Sequence, residues 1–545
     1  MSNDTTSTEE NERQWTIMVY LAGKNSLAAE CIFSITELSR VGPAKNIDCI
    51  VQLDSVVYDG TTLEITHKGR PRPGEINVRI KQAQRSNPVV AAIRQAPHLG
   101  KKNRRQPKLR VSYFDEIFNF VARCVKDYSA QHYMLVLSGH GSGTVGDFLR
   151  KDQADKIDSL SIPSLGKLIE NIHTKLLKNR KKLDILGMDS CLMSMTEVAY
   201  AAHKHADVMI GAEGFEPMAG WPYASILQSV NGFGPVTGGY KLQDVKALAK
   251  QIVSDYIAYY SDYQAAAVSV DQAACDLSQS AMLMEAVKCL SDLLCGYMPA
   301  PNGKDDDDVR NALLLAHWEA QPYKNEQYTD LYDFCNLLQR YCPTNQQNIV
   351  KACQNVKNVI RGSANEQNGA EADKDFRSVV DPFVLRSCYS GLTVQYSYGV
   401  SIYFPWAEQP ADLADYEKLY FARDSHWGRF LNAYLRATKR EVRPGRISGP
   451  HQFTPNQTSS LFDADLASIG SGNRFDIASR YTTDDRHTTD DRGLSNLIGT
   501  MRNPPTDFYD CSDCPLDSHE KVTTEVGASV NEKGSHKVRR RTIKK

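Results

Sequence analysis

Two stretches, 133–141 (YMLVLSGHG) and 183–191 (LDILGMDSC), each run from a short apolar segment into a reactive side chain, His140 in the first and Cys191 in the second. Runs this short and this continuously apolar are strands buried on both faces. Such strands belong to a parallel sheet covered by helices on either side. Towards the N-terminus, 15–22 (WTIMVYLA) and 46–54 (NIDCIVQLD) read as two more buried strands, separated by the loop GKNS and a helical pattern from about 28 to 40. Strand, helix, strand in that order predicts parallel neighbours. Ser112 stands as an N-cap three positions before Asp115, and Ile117, Phe118, Val121 and Val125 then recur on one helical face. A second amphipathic helix at about 164–177 leads into LDILGM, and a further helix is predicted to begin at Cys191 and end near His203.

In open parallel sheets, ligands bind in the crevice outside the carboxyl ends of the strands. Adjacent strands therefore bring His140 and Cys191 together although about fifty positions separate them. Gly139 and Gly141 let the backbone approach a ligand closely. A helix starting at Cys191 would favour the thiolate through its dipole and free N–H groups. The backbone N–H of Cys191, with that of Gly141, would then supply an oxyanion hole. Nucleophile, base and oxyanion donors are all accounted for. The plainer reading makes Cys191 a small core residue, His140 a loop contact and Asp189 a helix cap. GHGSG lacks the G-x-S-x-G order of a serine nucleophile elbow and the Lys of a phosphate-binding loop, which argues against a serine hydrolase and an NTPase.

The paired blocks, an apolar run ending in Gly-His-Gly and another ending in Asp-x-Cys, resemble the caspase, legumain and clostripain clan of cysteine peptidases. Four further stretches narrow the resemblance to the clostripain family: WTIMVYLAGKNSL, DSCLMSMTEVAY, EGFEPMAGWPY and GVSIYFP. It runs discontinuously from about 14 to 406. The resemblance implies a caspase-like fold, His140 as general base and acid, and Cys191 as the nucleophile that forms a thioester. It also implies Asp189 as the acid near the base of the S1 pocket, selecting protein or peptide substrates with Arg or Lys at P1. Many relatives cut themselves between the two blocks, where Arg150, Lys151 and Lys156 in FLRKDQADKID offer sites in a polar segment suited to nicking. Some relatives involve calcium, but no Asp-x-Asp-x-Asp-Gly loop is present and the acid run 305–308 reads as an exposed loop, so no cofactor is expected. The chain departs from its relatives at Lys24, where an acid is usual, at Ala212 for Ser, at Gly214 for an acid, and at Thr144, where Trp is common.

Around these blocks, 67–110 is a basic surface insertion with a single acid, Glu75. It is a candidate inhibitory segment or polyanion-binding loop. The chain then divides into a polar start (1–13), a catalytic domain (14–240), a mainly helical region (241–441) with further strands at 265–270 and 399–404, and a tail (442–545) read as disordered. Hydrophobic residues make up 41% and charged residues 24%, with a formal net charge of -1, so bulk electrostatics exclude a general polyanion binder. Nucleic acid would have to be held by the basic insertion or by the terminal KVRRRTIKK. No run of about 18 apolar residues occurs, so no membrane span is expected. The polar first residues lack the pattern of a secretory signal, and thirteen scattered cysteines fit reduced thiols, so a cytoplasmic location is expected. A single CxxC, Cys511 to Cys514, lacks the second pair of a zinc site. Two rival functions remain open on sequence: a catalytically silent caspase-like scaffold, and another thiol hydrolase on the same fold.

Overall fold

The apolar runs fold as a sheet in the computed structural model, which describes residues 13–44, 46–55, 61–66, 77–80, 112–144, 148–149, 159–177, 182–232, 242–264, 268–298, 307–324, 326–362, 381–406 and 410–438. WTIMVYLA lies within β1 (Arg13–Gly23), buried at every position after the first. NIDCIVQLD gives β2 (Ile47–Ser55), followed by β3 (Thr61–Thr66) and β4 (Asn77–Ile80). YMLVLS lies in β5 (Ala130–Ser138), LDILGMD is β6 (Leu183–Asp189), and β7 is Ala206–Gly211. The strands β8 (Val270–Asp276) and β11 (Val384–Ser390) complete one nine-stranded sheet in the order β11-β8-β7-β6-β5-β1-β2-β3-β4. Its centre, β2-β1-β5-β6-β7, is parallel throughout. Both flanks are antiparallel, β8 and β11 on one side and β3 and β4 on the other.

The expected parallel α/β sheet flanked by helices is present. Ser112 caps the helix Tyr113–Asp127 by accepting the Asp115 N–H, and Ile117 and Val121 are buried on its inner face. The helix Ile162–Asn171 runs on into one π-helical turn, Ile172–Leu176. A smaller three-stranded sheet, β9 (Pro322–Tyr323), β10 (Tyr328–Asp330) and β12 (Ser401–Tyr403), lies in the order β12-β10-β9. An isolated parallel bridge, Met195 to Ser401, joins it to the segment after Cys191. Trp427, Phe404, Phe430 and Tyr434 pack edge to face or tilted around that smaller sheet.

Four expectations need correction. The helix predicted to begin at Cys191 begins at Thr196 and ends at Ala202. Of the strand predicted over 265–270, 265–267 lie outside the described residues, and the strand observed begins at Val270 as VDQAACD. Of the acid run 305–308 predicted as a loop, 305–306 lie outside the described residues, and 307–308 open the helix Asp307–Glu319. The basic insertion is not structureless throughout, since Asn77–Ile80 pairs antiparallel with β3 and makes an edge hairpin. The tail, the CxxC and the other positions of the insertion lie outside the described residues. Eleven cysteines fall among the described residues and all are free thiols.

Candidate active site

His140 and Cys191 each stand two residues past the last paired position of neighbouring parallel strands, Ser138 on β5 and Asp189 on β6. The sheet register thus aligns the two at its carboxyl edge. The backbones after them touch: a Cβ on Gly141 would lie 2.1 Å from the Cys191 carbonyl oxygen, so only glycine fits there. The loop is pinned again by the Leu149 N–H, which donates to the His140 carbonyl at 2.8 Å.

Cys191 is fully buried, and no helix starts at it. The amides that would open one are spent sideways: Leu192 N–H donates to the Gly214 carbonyl and Ser194 N–H to that of Ala212. Leu192 also takes a left-handed φ of 63°, which a helix does not admit. The helix start is displaced to Thr196. The donor to the sulfur is instead the backbone N–H of Glu216, 3.3 Å from Sγ, and the Glu216 carbonyl lies 3.8 Å from the same sulfur. Glu216 is itself buried and held through its carboxylate by Trp221 Nε1 at 3.2 Å and Gln272 Nε2 at 3.3 Å.

Asp189 is buried completely, and its carboxylate accepts the Trp221 backbone N–H at 3.0 Å and the Tyr223 hydroxyl at 2.8 Å. The alternative of Asp189 as a helix cap fails, because no helix follows it directly. Its carboxylate clamps the 221–223 turn.

His140, 8% exposed, places Nε2 3.2 Å from the hydroxyl of Ser26, in the GKNS loop after β1. Ser26 and Glu216 were missed from sequence. Both sit on loops outside the two signal blocks, and Glu216 touches the sulfur through its main chain, which residue type does not reveal. A third grip comes from the turn between β9 and β10. Tyr328 hydroxyl and Lys324 Nζ donate to the Ser142 carbonyl at 2.6 and 2.7 Å, beside Gly143 with a φ of 74°.

The four departures have local partners. Lys24 Nζ lies 2.5 Å from Asp54, a carboxylate only 1% exposed, and 3.9 Å from Glu116. Thr144 hydroxyl donates to Met195 Sδ at 3.0 Å, and Ala212 receives the Ser194 amide. Gly214 has no room for an acid, because its Cβ would meet Asp271 Oδ1 at 2.6 Å. That carboxylate accepts the backbone N–H groups of Glu213 and Gly214 at 2.7 and 2.9 Å.

Asp271 belongs to a set of buried acids that tie the two sheets together. Burial pushes it up to about 6. Asp330, raised by burial and then by Asp333, reaches about 8. Glu213 is raised by burial and by the charges of Asp330 and Asp271, and it shares a hydrogen bond with Asp330 while accepting the Gly399 N–H at 2.6 Å. Among the described residues no group of three or more His, Cys, Asp or Glu side chains converges to hold a metal ion. No helix among them is long and apolar enough to cross a membrane.

The processing candidates Arg150, Lys151 and Lys156 lie outside the described residues. The segment that contains them is closed by an antiparallel bridge between Phe148 and Leu160, bonded in both directions at 3.2 and 2.9 Å.

A family model described as the clostripain family matches residues 19–434. Among solved structures, an inactive zymogen C11 protease from Parabacteroides distasonis is similar, with 16% identity over 77% of this chain and 99% of its own and a TM-score of 0.51. A secreted C11 cysteine protease from Bacteroides thetaiotaomicron, iotapain, has 14% identity over 76% of this chain and 100% of its own, with a TM-score of 0.50. At these identities the likeness is one of fold. No curated protein matches the chain.

Proposed function

The chain belongs to the clostripain family and is a cysteine-type endopeptidase; from that premise we propose that it cuts peptide bonds after Arg or Lys through a Cys191–His140 dyad. The observation that carries this reading is the juxtaposition at the carboxyl edge of β5 and β6, with the Gly141 backbone against that of Cys191. In the proposed reaction His140 takes the Cys191 thiol proton and the thiolate attacks the scissile carbonyl. Backbone N–H groups of Gly141 and Cys191 stabilise the oxyanion. His140 returns the proton to the leaving amine, giving a thioester that water, activated by His140, then hydrolyses. The Glu216 N–H at 3.3 Å steadies the sulfur where no helix terminus does.

Asp189 is the proposed acid beneath the P1 side chain. Its support is its place two residues before Cys191 and its carboxylate, since charge-assisted bonds from a guanidinium or ammonium group to a carboxylate are the strong ones. Because the carboxylate is covered, binding a P1 cation has to displace part of the Trp221–Tyr223 turn. Cleavage of matched fluorogenic peptides with Arg, Lys, Asp or Ala at P1 tests the whole reading. We expect Arg and Lys peptides to be cut and Cys191→Ala to abolish the signal. Cutting after Asp would keep the nucleophile and remove Asp189 from the pocket; cutting by Cys191→Ala would remove the nucleophile.

Self-cleavage at Arg150, Lys151 or Lys156 is part of the proposal. The Phe148–Leu160 bridge supports it, since both ends of a nick would stay attached, and one solved relative is described as an inactive zymogen. A Cys191→Ala protein nicked at the same bond when made and stored alone would sink it. No step runs through a metal: the buried acids are engaged by backbone amides and by one another. Activity is expected to survive dialysis against a calcium chelator. A cytoplasmic location is proposed on the strength of the free thiols, and fractionation that finds the chain outside the cell would overturn it.

A further inference from the structure

We propose that Ser26 is a positioning residue for His140, holding the imidazole so that one defined nitrogen exchanges the proton with Cys191. The inference rests on His140 acting as the general base. Its first support is the contact itself, Ser26 Oγ to His140 Nε2 at 3.2 Å, made by a side chain that is otherwise exposed to solvent. A serine at the surface has no packing reason to meet a buried ring.

The second support is that the loop is built to stay where it is without help from His140. Asn25 closes it in both directions, its Nδ2 donating to the Ala22 carbonyl at 3.1 Å and its Oδ1 accepting the Leu27 N–H at 2.9 Å. Such an Asx closure fixes a tight turn locally. Leu27 anchors the far end as a fully buried side chain. Lys24 ties the near end to Asp54 at the close of β2. Ser26 thus stands between two anchored neighbours, with its hydroxyl presented to the ring.

The hydroxyl can meet Nε2 as donor or acceptor; with Nε2–H donating to it, the arrangement the proposal requires, Nδ1 is the nitrogen that takes the thiol proton. When the ring becomes imidazolium the same bond becomes charge-assisted and strengthens, at the stage where positive charge develops. Loss of the hydroxyl therefore lowers the fraction of rings that are correctly set, with little effect on substrate binding.

The test compares wild type, Ser26→Ala, Ser26→Thr and His140→Ala by two readouts. One is the rate of iodoacetamide addition to the Cys191 peptide, followed by mass spectrometry from pH 5 to 9, which needs no substrate. The other is the separation of kcat from KM on an Arg peptide. We expect Ser26→Ala to cut the alkylation rate near neutral pH and kcat by about tenfold with KM within about twofold, and Ser26→Thr, which keeps the hydroxyl, to recover most of both. Unchanged folding of Ser26→Ala is checked by its melting temperature. Wild-type alkylation and kcat in Ser26→Ala, or Ser26→Thr as impaired as Ser26→Ala, would overturn the proposal. His140→Ala separates the two levels. If it loses alkylation while Ser26→Ala does not, Ser26 fails and the dyad stands. If it keeps the wild-type rate, the dyad reading falls and the role of Ser26 with it.

Discussion

At the residue scale, the site depends on how closely two backbones approach. A methyl group on Gly141 would sit inside van der Waals contact of the Cys191 carbonyl, so Gly141→Ala has to push the His140 loop away from Cys191. Overpacking of this kind costs about 1–3 kcal/mol. We expect the variant to fold with a lowered melting temperature and to lose at least about a hundredfold in kcat/KM. Near-normal activity would mean that the two backbones lie farther apart. Asp189 separates charge from structure. Asn at that position still accepts the Trp221 N–H and can donate to the Tyr223 hydroxyl, while losing its negative charge. Asp189→Asn is therefore expected to keep stability within about 1 kcal/mol while cleavage after Arg falls by about a hundredfold relative to cleavage after Ala. Equal losses on both peptides would make Asp189 a clamp only. The placement of His140, Cys191 and Asp189 at or just past the ends of neighbouring strands was legible in the sequence, because an apolar run marks each strand.

At the element scale, what stayed hidden was whatever loops or main-chain atoms supply. The five-residue offset of the helix after Cys191 illustrates this. MSMTEVAY carries helical residues throughout, but Leu192 and Ser194 give their amides to 214 and 212, and no local propensity encodes that competition. Likewise nothing in PYKNEQYTD announces that its Tyr328 and Lys324 reach the Ser142 carbonyl. The antiparallel flanks were equally silent, since a buried edge strand and a buried central one have similar composition. The turn between β9 and β10 provides a direct check. Tyr328→Phe deletes one hydrogen bond to the His140 loop, about 0.5–1.5 kcal/mol. We expect a several-fold fall in kcat with a small change in global stability. An unaltered kcat would show that the loop holds its shape through Lys324 and Gly141 alone.

At the scale of the whole molecule, buried acids join the smaller sheet to the large one and set how stability responds to pH. Glu213 and Asp271 lie after β7 and at the start of β8, and Asp330 closes β10. Their folded forms hold protons that the unfolded chain releases above about pH 4. Stability they contribute is therefore complete in mild acid and falls as pH rises towards about 8, the value reached by Asp330. The slope is about 1.4 kcal/mol per pH unit for each proton retained. Glu197, raised to about 7 by burial and bonded to the Tyr403 N–H and the Tyr416 hydroxyl, adds to the same trend. Glu213→Gln, a neutral isostere, should flatten the decline in urea midpoint between pH 5 and 8.5; an identical slope in the variant would contradict the shared-proton arrangement. The most direct measurement of the account concerns the covalent step. A rapid acid quench of the wild-type enzyme turning over an Arg ester, followed by mass spectrometry, should find the acyl group on Cys191 as a thioester and none in Cys191→Ala. Turnover with no acyl group on Cys191, or turnover that survives its replacement, would contradict the catalytic assignment.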